Sequence, residues 1–324
     1  MGARIFVTWP MEPEARAILE RAGSVATSPS EDGLPEPELA RSVADAEAIV
    51  PMGAHPVPAS VIAAAPRLRI IAVAAVGYNL IDVAAATRRG ILVTNTPGVL
   101  TETTADMAWA LMLAAARRVV ESDGLVRAGR WSGVKWSLML GDDVSGATLG
   151  IVGLGRIGKA VARRAAGFGM PVLYHSRHAD PEAVAIGAKY RSKTDLLREA
   201  DFVVLAVPLT PDTRRLIGAA ELALMKPTAF LINIARGPIV DEAALVEALR
   251  ARRIAGAGLD VFEDEPRVHP GLLDLDRVVL TPHIGSASRA TRLRMATRAA
   301  ENCVAAVEGR RPPNLVNPEA WTGA

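Results

Sequence analysis

Two kinds of apolar pattern alternate along most of the chain. Short continuous apolar runs, such as residues 70–76 and 202–207, are typical of strands buried on both faces of a sheet. Segments such as 83–89 and 241–252 instead repeat their apolar positions every three or four residues, which indicates helices. Strands that alternate with helices in this way predict an α/β protein with parallel sheets covered by helices.

The first third of the chain predicts a small α/β domain. Its predicted strands are residues 5–9, 48–51, 70–76 and 91–94, and its predicted helices are 12–23, 39–46, 57–65 and 83–89. One long helix is predicted over 100–120. The irregular stretch 130–145 follows, which is either an arm that packs on another subunit or a plain surface loop.

The remainder predicts a second α/β domain with six strands, the number found in doubly wound dinucleotide-binding folds. The predicted strands are residues 149–152, 171–174, 202–207, 229–234, 257–260 and 278–280. A final helix over 288–309 follows the completed second domain, so it most simply returns to the first, which we expect to be discontinuous. The predicted domains are 1–99 with 284–324, the substrate domain, and 100–283, the dinucleotide-binding domain.

A glycine-rich turn joins the first strand of this second domain to a helix. The turn reads Gly153-x-Gly155-x-x-Gly158. The first glycine makes the tight turn, the second lets the backbone approach a pyrophosphate, and the third lets the helix pack on the strand. Because the helix N-terminus also offers unpaired N–H groups to phosphates, we predict dinucleotide binding here.

The end of the next strand indicates which dinucleotide is bound. An NAD site usually carries an acidic residue there, about 20 residues after the first glycine, to accept bonds from the ribose hydroxyls. Here Ser176 and Arg177 occupy that place, and the first acid is Asp180. A hydroxyl and a guanidinium suit a 2′-phosphate, so NADP(H) is the predicted cofactor, with NAD(H) still possible.

Composition narrows the class of protein. The chain has 324 residues, half of them hydrophobic, and a net charge of only +2. Its basic residues are scattered and its aromatics few, so we expect no nucleic-acid partner. The single cysteine, Cys303, lies in an apolar helical pattern, which favours packing and a reducing cytoplasm. With no long apolar run and no signal-peptide layout over residues 1–10, a soluble protein without a membrane partner is expected.

Candidate catalytic groups follow predicted strands, at the sheet edge where ligands bind in this fold. They are Arg236, Glu265 and His283. Loops 52–55 and 77–82 of the first domain follow strands as well and are candidates for substrate contact. His55 is one candidate there, although a lone histidine before a proline is more often an ordinary loop residue.

Six motifs in this order resemble the NAD(P)-dependent D-2-hydroxyacid dehydrogenases. They are Asn95-Thr96-Pro97-Gly98, Glu102-Thr103-Thr104-Ala105-Asp106, the glycine turn, the segment 235–245, Gly258-Leu259-Asp260-Val261-Phe262 and Pro282-His283-Ile284-Gly285-Ser286. The resemblance implies a Rossmann-type doubly wound sheet plus a discontinuous flavodoxin-like domain. It also implies a homodimer whose site lies in the interdomain cleft, with no metal.

The resemblance assigns roles that agree with side-chain chemistry. Arg236 would bind the substrate carboxylate and keto oxygen, His283 would donate the proton, and Glu265 would orient the His283 ring. Further substrate contacts are expected from Gly53, Val76, Gly77 and Ser286. Expected cofactor-binding residues are Thr104, Gly153, Gly155, Arg156, Ile157, Gly158, Ser176, Arg177, Val207, Pro208, Ile234, Asp260, His283 and Gly285.

Within the family, the chain is most similar to glyoxylate/hydroxypyruvate reductases. Val76-Gly77-Tyr78-Asn79, the strand end at 174–177 and the closing segment 312–317 carry this narrower match. The loop after Trp136 looks about two residues shorter than in those relatives. Two alternatives remain open: a dehydrogenase for a bulkier acid (phenylpyruvate, lactate or phosphoglycerate type), and a cofactor-sensing scaffold of the corepressor type.

Overall fold

The computed structural model describes residues 2–323. Its strands are β1 Ala3–Val7, β2 Gly23–Thr27, β3 Ala48–Val50, β4 Ile70–Ala72, β5 Leu92–Thr94, β6 Leu149–Val152, β7 Val172–His175, β8 Ala188–Tyr190, β9 Phe202–Leu205, β10 Phe230–Asn233, β11 Gly256–Leu259 and β12 Val278–Leu280.

The α-helices are α1 Pro13–Glu20, α2 Glu36–Ser42, α3 Ala59–Ala64, α4 Val83–Arg88, α5 Thr101–Ala116, α6 Val119–Arg127, α7 Arg156–Ala165, α8 Lys193–Glu199, α9 Ala219–Leu224, α10 Glu242–Arg250, α11 Pro270–Leu273 and α12 Arg289–Val307. Short 3₁₀ helices span Ala166–Phe168, Pro181–Ile186, Gly237–Ile239 and Pro318–Ala320. Among the described residues, none of the helices is both long and apolar enough to cross a membrane.

The chain forms two compact units: residues up to Leu100 together with those from Ala287 onward, and Thr101–Ser286. The first unit has a parallel five-stranded sheet in the order β2-β1-β3-β4-β5. This is the flavodoxin-like order, as predicted. Helix α12 packs against α1 and against strands β3 and β4 of this sheet, and Ser288 caps its first turn. Cys303 is fully buried in the same core, where burial raises the pKa of its thiol to about 12.

The second unit has a parallel seven-stranded sheet in the order β12-β11-β10-β9-β6-β7-β8. Counted within the unit, six of these strands follow the doubly wound order 3-2-1-4-5-6, and β12 extends one edge. The Rossmann-type fold is therefore confirmed. The order reverses between β6 and β9, and the glycine turn leaves β6 at that point.

Three predicted elements were wrong. The sheet has seven strands rather than six, because β8 is a three-residue edge strand whose Lys189 and Tyr190 are exposed and give no apolar run. The helix predicted over 12–23 ends at Glu20, and Gly23 instead begins β2, where a Cβ would lie 1.8 Å from the Ala3 carbonyl oxygen.

The third error is the single long helix over 100–120. Helix α5 ends at Ala116, and Arg118 has a left-handed backbone with φ of 53° before α6 begins. The Arg118 guanidinium pairs with Glu121, one turn into α6, and Glu121 accepts the Arg277 N–H at 2.9 Å. The local Arg118 pair and the tertiary bond from Arg277 stabilise the break between α5 and α6, which the apolar pattern of the sequence does not reveal.

Candidate functional site

The glycine turn has the shape that a dinucleotide phosphate requires. Gly153 has φ of +102°, and a Cβ there would lie 2.7 Å from the Ala206 carbonyl oxygen. A Cβ on Gly158 would lie 2.1 Å from the Gly153 carbonyl oxygen, so both glycines are needed for the turn itself. A Cβ on Gly155, in contrast, would meet no atom within 4 Å, which leaves open space above the backbone.

Helix α7 begins directly after Gly155, which provides no side-chain hydrogen bond to its first turn. The first N–H groups of the helix, including those of Arg156 and Ile157, therefore point toward that open space with the positive end of the helix dipole. These features fit a dinucleotide pyrophosphate. The close approach of Gly153 to Val207 also places the predicted cofactor residues Val207 and Pro208 beside the turn.

Asp260 organises the loop that carries His283. It is buried directly after β11, and its Oδ1 accepts bonds from the Thr281 hydroxyl at 2.6 Å and the Ile284 N–H at 2.8 Å. Its Oδ2 accepts the Gly285 N–H at 2.7 Å, and its carbonyl oxygen accepts the His283 N–H at 2.8 Å. Contact of Asp260 with the nicotinamide stays a prediction, because these bonds show only that its side chain anchors the His283 loop.

The same loop explains why glycine stands at position 285. A Cβ on Gly285 would lie 2.9 Å from Asp260 Oδ2 and 3.5 Å from Cγ2 of Thr104, which is buried on α5. Thr104, Asp260 and Gly285, all predicted cofactor residues, are thus adjacent in the second unit. His283 itself has a left-handed backbone with φ of 53°, a conformation that histidine adopts more readily than most residues.

Glu265 and His283 form a hydrogen-bonded pair. His283 Nδ1 lies 2.8 Å from Glu265 Oε2, and Glu265 Oε1 accepts the Phe262 N–H at 3.0 Å. Burial raises the pKa of Glu265, but the bond from His283, the charges of His283 and Arg236 and the Phe262 N–H outweigh it, so the pKa lies below its ordinary value. Because an ionised carboxylate only accepts hydrogen bonds, Nδ1 carries the proton of this bond, and Nε2 is the ring nitrogen that does not face Glu265.

Arg236 lies after β10, with Nη1 donating to the Ala235 carbonyl oxygen at 2.7 Å. Burial lowers the pKa of Arg236, while the charge of the nearby Glu265 opposes that effect. The guanidinium stays charged at neutral pH, because its ordinary pKa is so high. The structure thus brings a cation, a carboxylate and an imidazole together at the ends of β10, β11 and β12.

Residues that sequence reasoning missed hold these groups in place. Asn233 is buried at the end of β10; its amide accepts the Ala235 N–H at 3.0 Å and donates to the Arg236 carbonyl oxygen at 3.0 Å. Glu242 is buried at the start of α10, and its Oε1 accepts the Glu263 N–H. A polar residue ending an apolar strand, and an acid on the first turn of a helix, were the available signals.

In the first unit, the predicted substrate residues lie on neighbouring loops. A Cβ on Gly53 would lie 2.4 Å from Ala75 Cβ, so the loop after β3 touches the loop of Val76 and Gly77 after β4. The amide of Asn95 donates to the Val76 carbonyl oxygen at 2.9 Å. The two loops predicted as candidates for substrate contact therefore meet at the carboxyl end of this sheet, where ligands bind in open α/β folds.

His55 lies in the loop after β3 and is buried. Its Nδ1 lies 2.6 Å from the Thr8 hydroxyl, and its Nε2 lies 2.9 Å from the Glu31 carbonyl oxygen. The same Thr8 hydroxyl oxygen accepts the Met52 N–H at 3.1 Å. With both ring nitrogens bonded inside the protein, His55 belongs to the loop scaffold rather than to a substrate contact.

Comparison with known proteins agrees with this fold. Residues 109–285 match the family described as D-isomer specific 2-hydroxyacid dehydrogenase, NAD binding domain. The chain belongs to this family and is an NAD(P)-dependent oxidoreductase, as its sequence motifs indicate. It is 52% identical to glyoxylate reductase of Thermococcus kodakarensis, over 98% of this chain and 97% of the relative, and 50% identical to that of Pyrococcus furiosus, over 98% and 96%.

A solved structure is similarly close. The NADPH-dependent glyoxylate/hydroxypyruvate reductase of Sinorhizobium meliloti, in complex with NADP and malonate, superposes with a TM-score of 0.89. It is 35% identical and covers 100% of this chain and 99% of its own.

Proposed function

We propose that this dehydrogenase reduces small 2-keto acids, glyoxylate and hydroxypyruvate first, to D-2-hydroxy acids with NADPH. The observation that carries the proposal is the Glu265–His283 pair beside the half-buried Arg236. Relatives at 50–52% identity that are named glyoxylate reductase support the choice of glyoxylate. The Sinorhizobium meliloti enzyme supports hydroxypyruvate and NADPH.

The three side chains supply what the reduction requires besides the hydride, which the bound nicotinamide provides. The Arg236 fork binds the substrate carboxylate and polarises the keto oxygen. His283, as imidazolium, gives the Nε2 proton to that oxygen as it gains charge. Glu265 fixes the ring orientation through its bond to Nδ1. In the reverse direction, the neutral ring takes the hydroxyl proton.

Preference for NADPH over NADH rests on the loop after β7. Ser176 and the exposed Arg177 occupy the place where an NAD site usually has an acid. The nearest acid, Asp180, bonds Lys159 at 2.8 Å and caps the Glu182 N–H at 2.8 Å. The bond from Lys159 lowers the pKa of Asp180. The Asp180 carboxylate is therefore ionised at neutral pH, and the Lys159 cation balances its charge.

A panel of keto acids with both cofactors tests substrate and cofactor together. We expect kcat/KM to be highest for glyoxylate and hydroxypyruvate and lower for phenylpyruvate, pyruvate and phosphohydroxypyruvate. With either good substrate, NADPH should exceed NADH, and Arg177→Ala should lower kcat/KM for NADPH by about 10-fold, the equivalent of one charge-assisted hydrogen bond. NADH values should stay unchanged in that variant.

Equal or higher efficiency with NADH in the wild type would contradict the cofactor assignment alone. A bulky acid as the best substrate would favour the alternative, a dehydrogenase for a bulkier acid. Arg198→Ala is the control for Arg177→Ala, because it removes another exposed arginine of the same unit.

A homodimer is also proposed. Helix α6 and the loop after it expose large apolar side chains, which a monomer rarely gathers on one surface. Trp136 is 99% exposed, and the others are Val119, Val120, Val126, Trp131, Val134 and Leu140. Light scattering after size exclusion should give about twice the chain mass of 34.1 kDa. Val120→Asp should shift the mass toward the monomer, and a wild-type mass of one chain would refute the dimer.

A further inference from the structure

Glu242 is a buried acid outside the three catalytic side chains. It is only 5% exposed, on the first turn of α10, directly after Asp241 caps that helix. Glutamate is almost never fully buried unless it is paired with other groups. Its partners therefore show what the buried carboxylate does.

The Glu242 carboxylate bonds to backbone rather than to a cation. Its Oε1 accepts the Glu263 N–H at 2.5 Å, and the His269 N–H also bonds to the carboxylate. Glu263 and His269 lie on either side of the segment that contains Glu265. Burial is the largest effect on Glu242 and raises its pKa, and the two N–H donors only partly offset it.

The segment fastened in this way also packs directly on the Arg236 turn. A Cβ on Gly237 would lie 1.8 Å from the Phe262 carbonyl carbon, so the two backbones touch. One residue before Glu263, the Phe262 N–H donates to Glu265 Oε1 at 3.0 Å. The other oxygen of Glu265 bonds His283 Nδ1 at 2.8 Å. A continuous chain of hydrogen bonds and peptide units thus runs from Glu242 to the imidazole.

We propose that Glu242 is a positioning residue for the reaction: by holding the Glu263 and His269 N–H groups, it fixes the Phe262–Glu265 turn and so the orientation of His283. The inference rests on the proposed function, since it assigns His283 as the proton donor. Glu242 itself touches neither substrate nor cofactor in this scheme.

The test variant is Glu242→Gln, with Glu247→Gln as the matched control. Glutamine has nearly the same size, but it presents an amide N–H₂ where the carboxylate accepts from backbone, so one of the two N–H groups loses its acceptor. Glu247 lies on the same helix α10, but it is exposed and its side chain pairs with Arg250 at 3.5 Å, so Glu247→Gln makes the same exchange away from the site. Both variants are compared at a temperature at which circular dichroism shows them folded.

We expect Glu242→Gln to lower kcat for the best 2-keto acid by about 10- to 100-fold, the usual cost of a small misplacement of a reacting group. The KM for NADPH should be unchanged, and the pH profile of kcat should change shape. Glu247→Gln should retain the wild-type kcat and profile. Equal kcat and identical profiles in the two variants would overturn the inference, because a purely structural role would alter only thermal stability.

A second readout does not depend on turnover. The His283 Nδ1 proton, identified by its absence in His283→Ala, should give a downfield NMR signal in the wild type and in Glu247→Gln. In Glu242→Gln it should exchange faster with solvent. Unchanged exchange would refute the positioning role even if no keto acid proved to be a substrate. Conversely, faster exchange in a protein without turnover would leave this role supported and the proposed function refuted.

Discussion

Replacing His283 with alanine should lower kcat for keto-acid reduction by about 10²- to 10⁴-fold, the range for loss of a general acid. The Kd for NADPH should stay nearly unchanged, because the phosphates are expected to bind at the glycine turn. The Nε2 proton has no substitute at its position in this variant, since alanine carries no ionisable group. Single-turnover kinetics together with fluorescence titration of NADPH measures both quantities.

Glu265→Gln should give an intermediate loss. An amide oxygen is a weaker acceptor than a carboxylate, so the His283 ring is held less firmly in the orientation for proton transfer. Asp264→Asn is the matched control, because Asp264 is an exposed neighbour that pairs with Arg267. Wild-type turnover in His283→Ala would exclude His283 as the acid, whereas equal effects of Glu265→Gln and Asp264→Asn would exclude orientation by Glu265.

Replacing Arg236 with alanine should lower kcat/KM for glyoxylate by about 10³-fold, through both KM and kcat. Loss of two charge-assisted hydrogen bonds costs about 3–6 kcal/mol, and each 1.4 kcal/mol is tenfold. Arg236→Lys keeps the charge but loses the planar fork, so we expect its kcat/KM for glyoxylate to be about 10²-fold below the wild-type value.

Arg214→Ala, at an exposed arginine of the same unit, is the control and should behave as wild type. Burial lowers the pKa of Arg236, so its charge does not stabilise the fold and removal should leave thermal stability largely intact. A variant that keeps the wild-type KM and kcat for glyoxylate would show that another group binds the carboxylate.

Local patterns were enough to predict most of the fold. The parallel strands are nearly continuous apolar runs, Gly153 and Gly158 occupy positions where a Cβ would clash, and Gly155 leaves open space above the backbone. Sequence could not show β8 or the break at Arg118. The first is a short, polar edge strand defined only by its neighbour β7, and the second is held by Glu121 and its bond to Arg277.

The sequence was enough to predict which residues form the candidate site and that each of them follows a strand. Arg236, Glu265 and His283 each follow a strand, and the parallel sheet brings those ends together. Their supports were predictable only in part: Asp260 follows a strand and Glu242 lies on the first turn of a helix, but the backbone N–H groups that they bind have no signature in the sequence. His55 is the opposite case. Its residue type made it a candidate for substrate contact, but both of its ring nitrogens are hydrogen-bonded, one to the Thr8 hydroxyl and one to the Glu31 carbonyl oxygen.

The most direct test of the central claim is the stoichiometry of glyoxylate reduction by the purified wild-type chain. Absorbance of NADPH is followed after addition of glyoxylate, and glycolate is quantified in the same sample. We predict that one glycolate forms for each NADPH oxidised, and that His283→Ala lowers both rates in parallel. If NADPH binds but neither glyoxylate nor any other 2-keto acid of the panel is reduced, the proposed reaction is wrong.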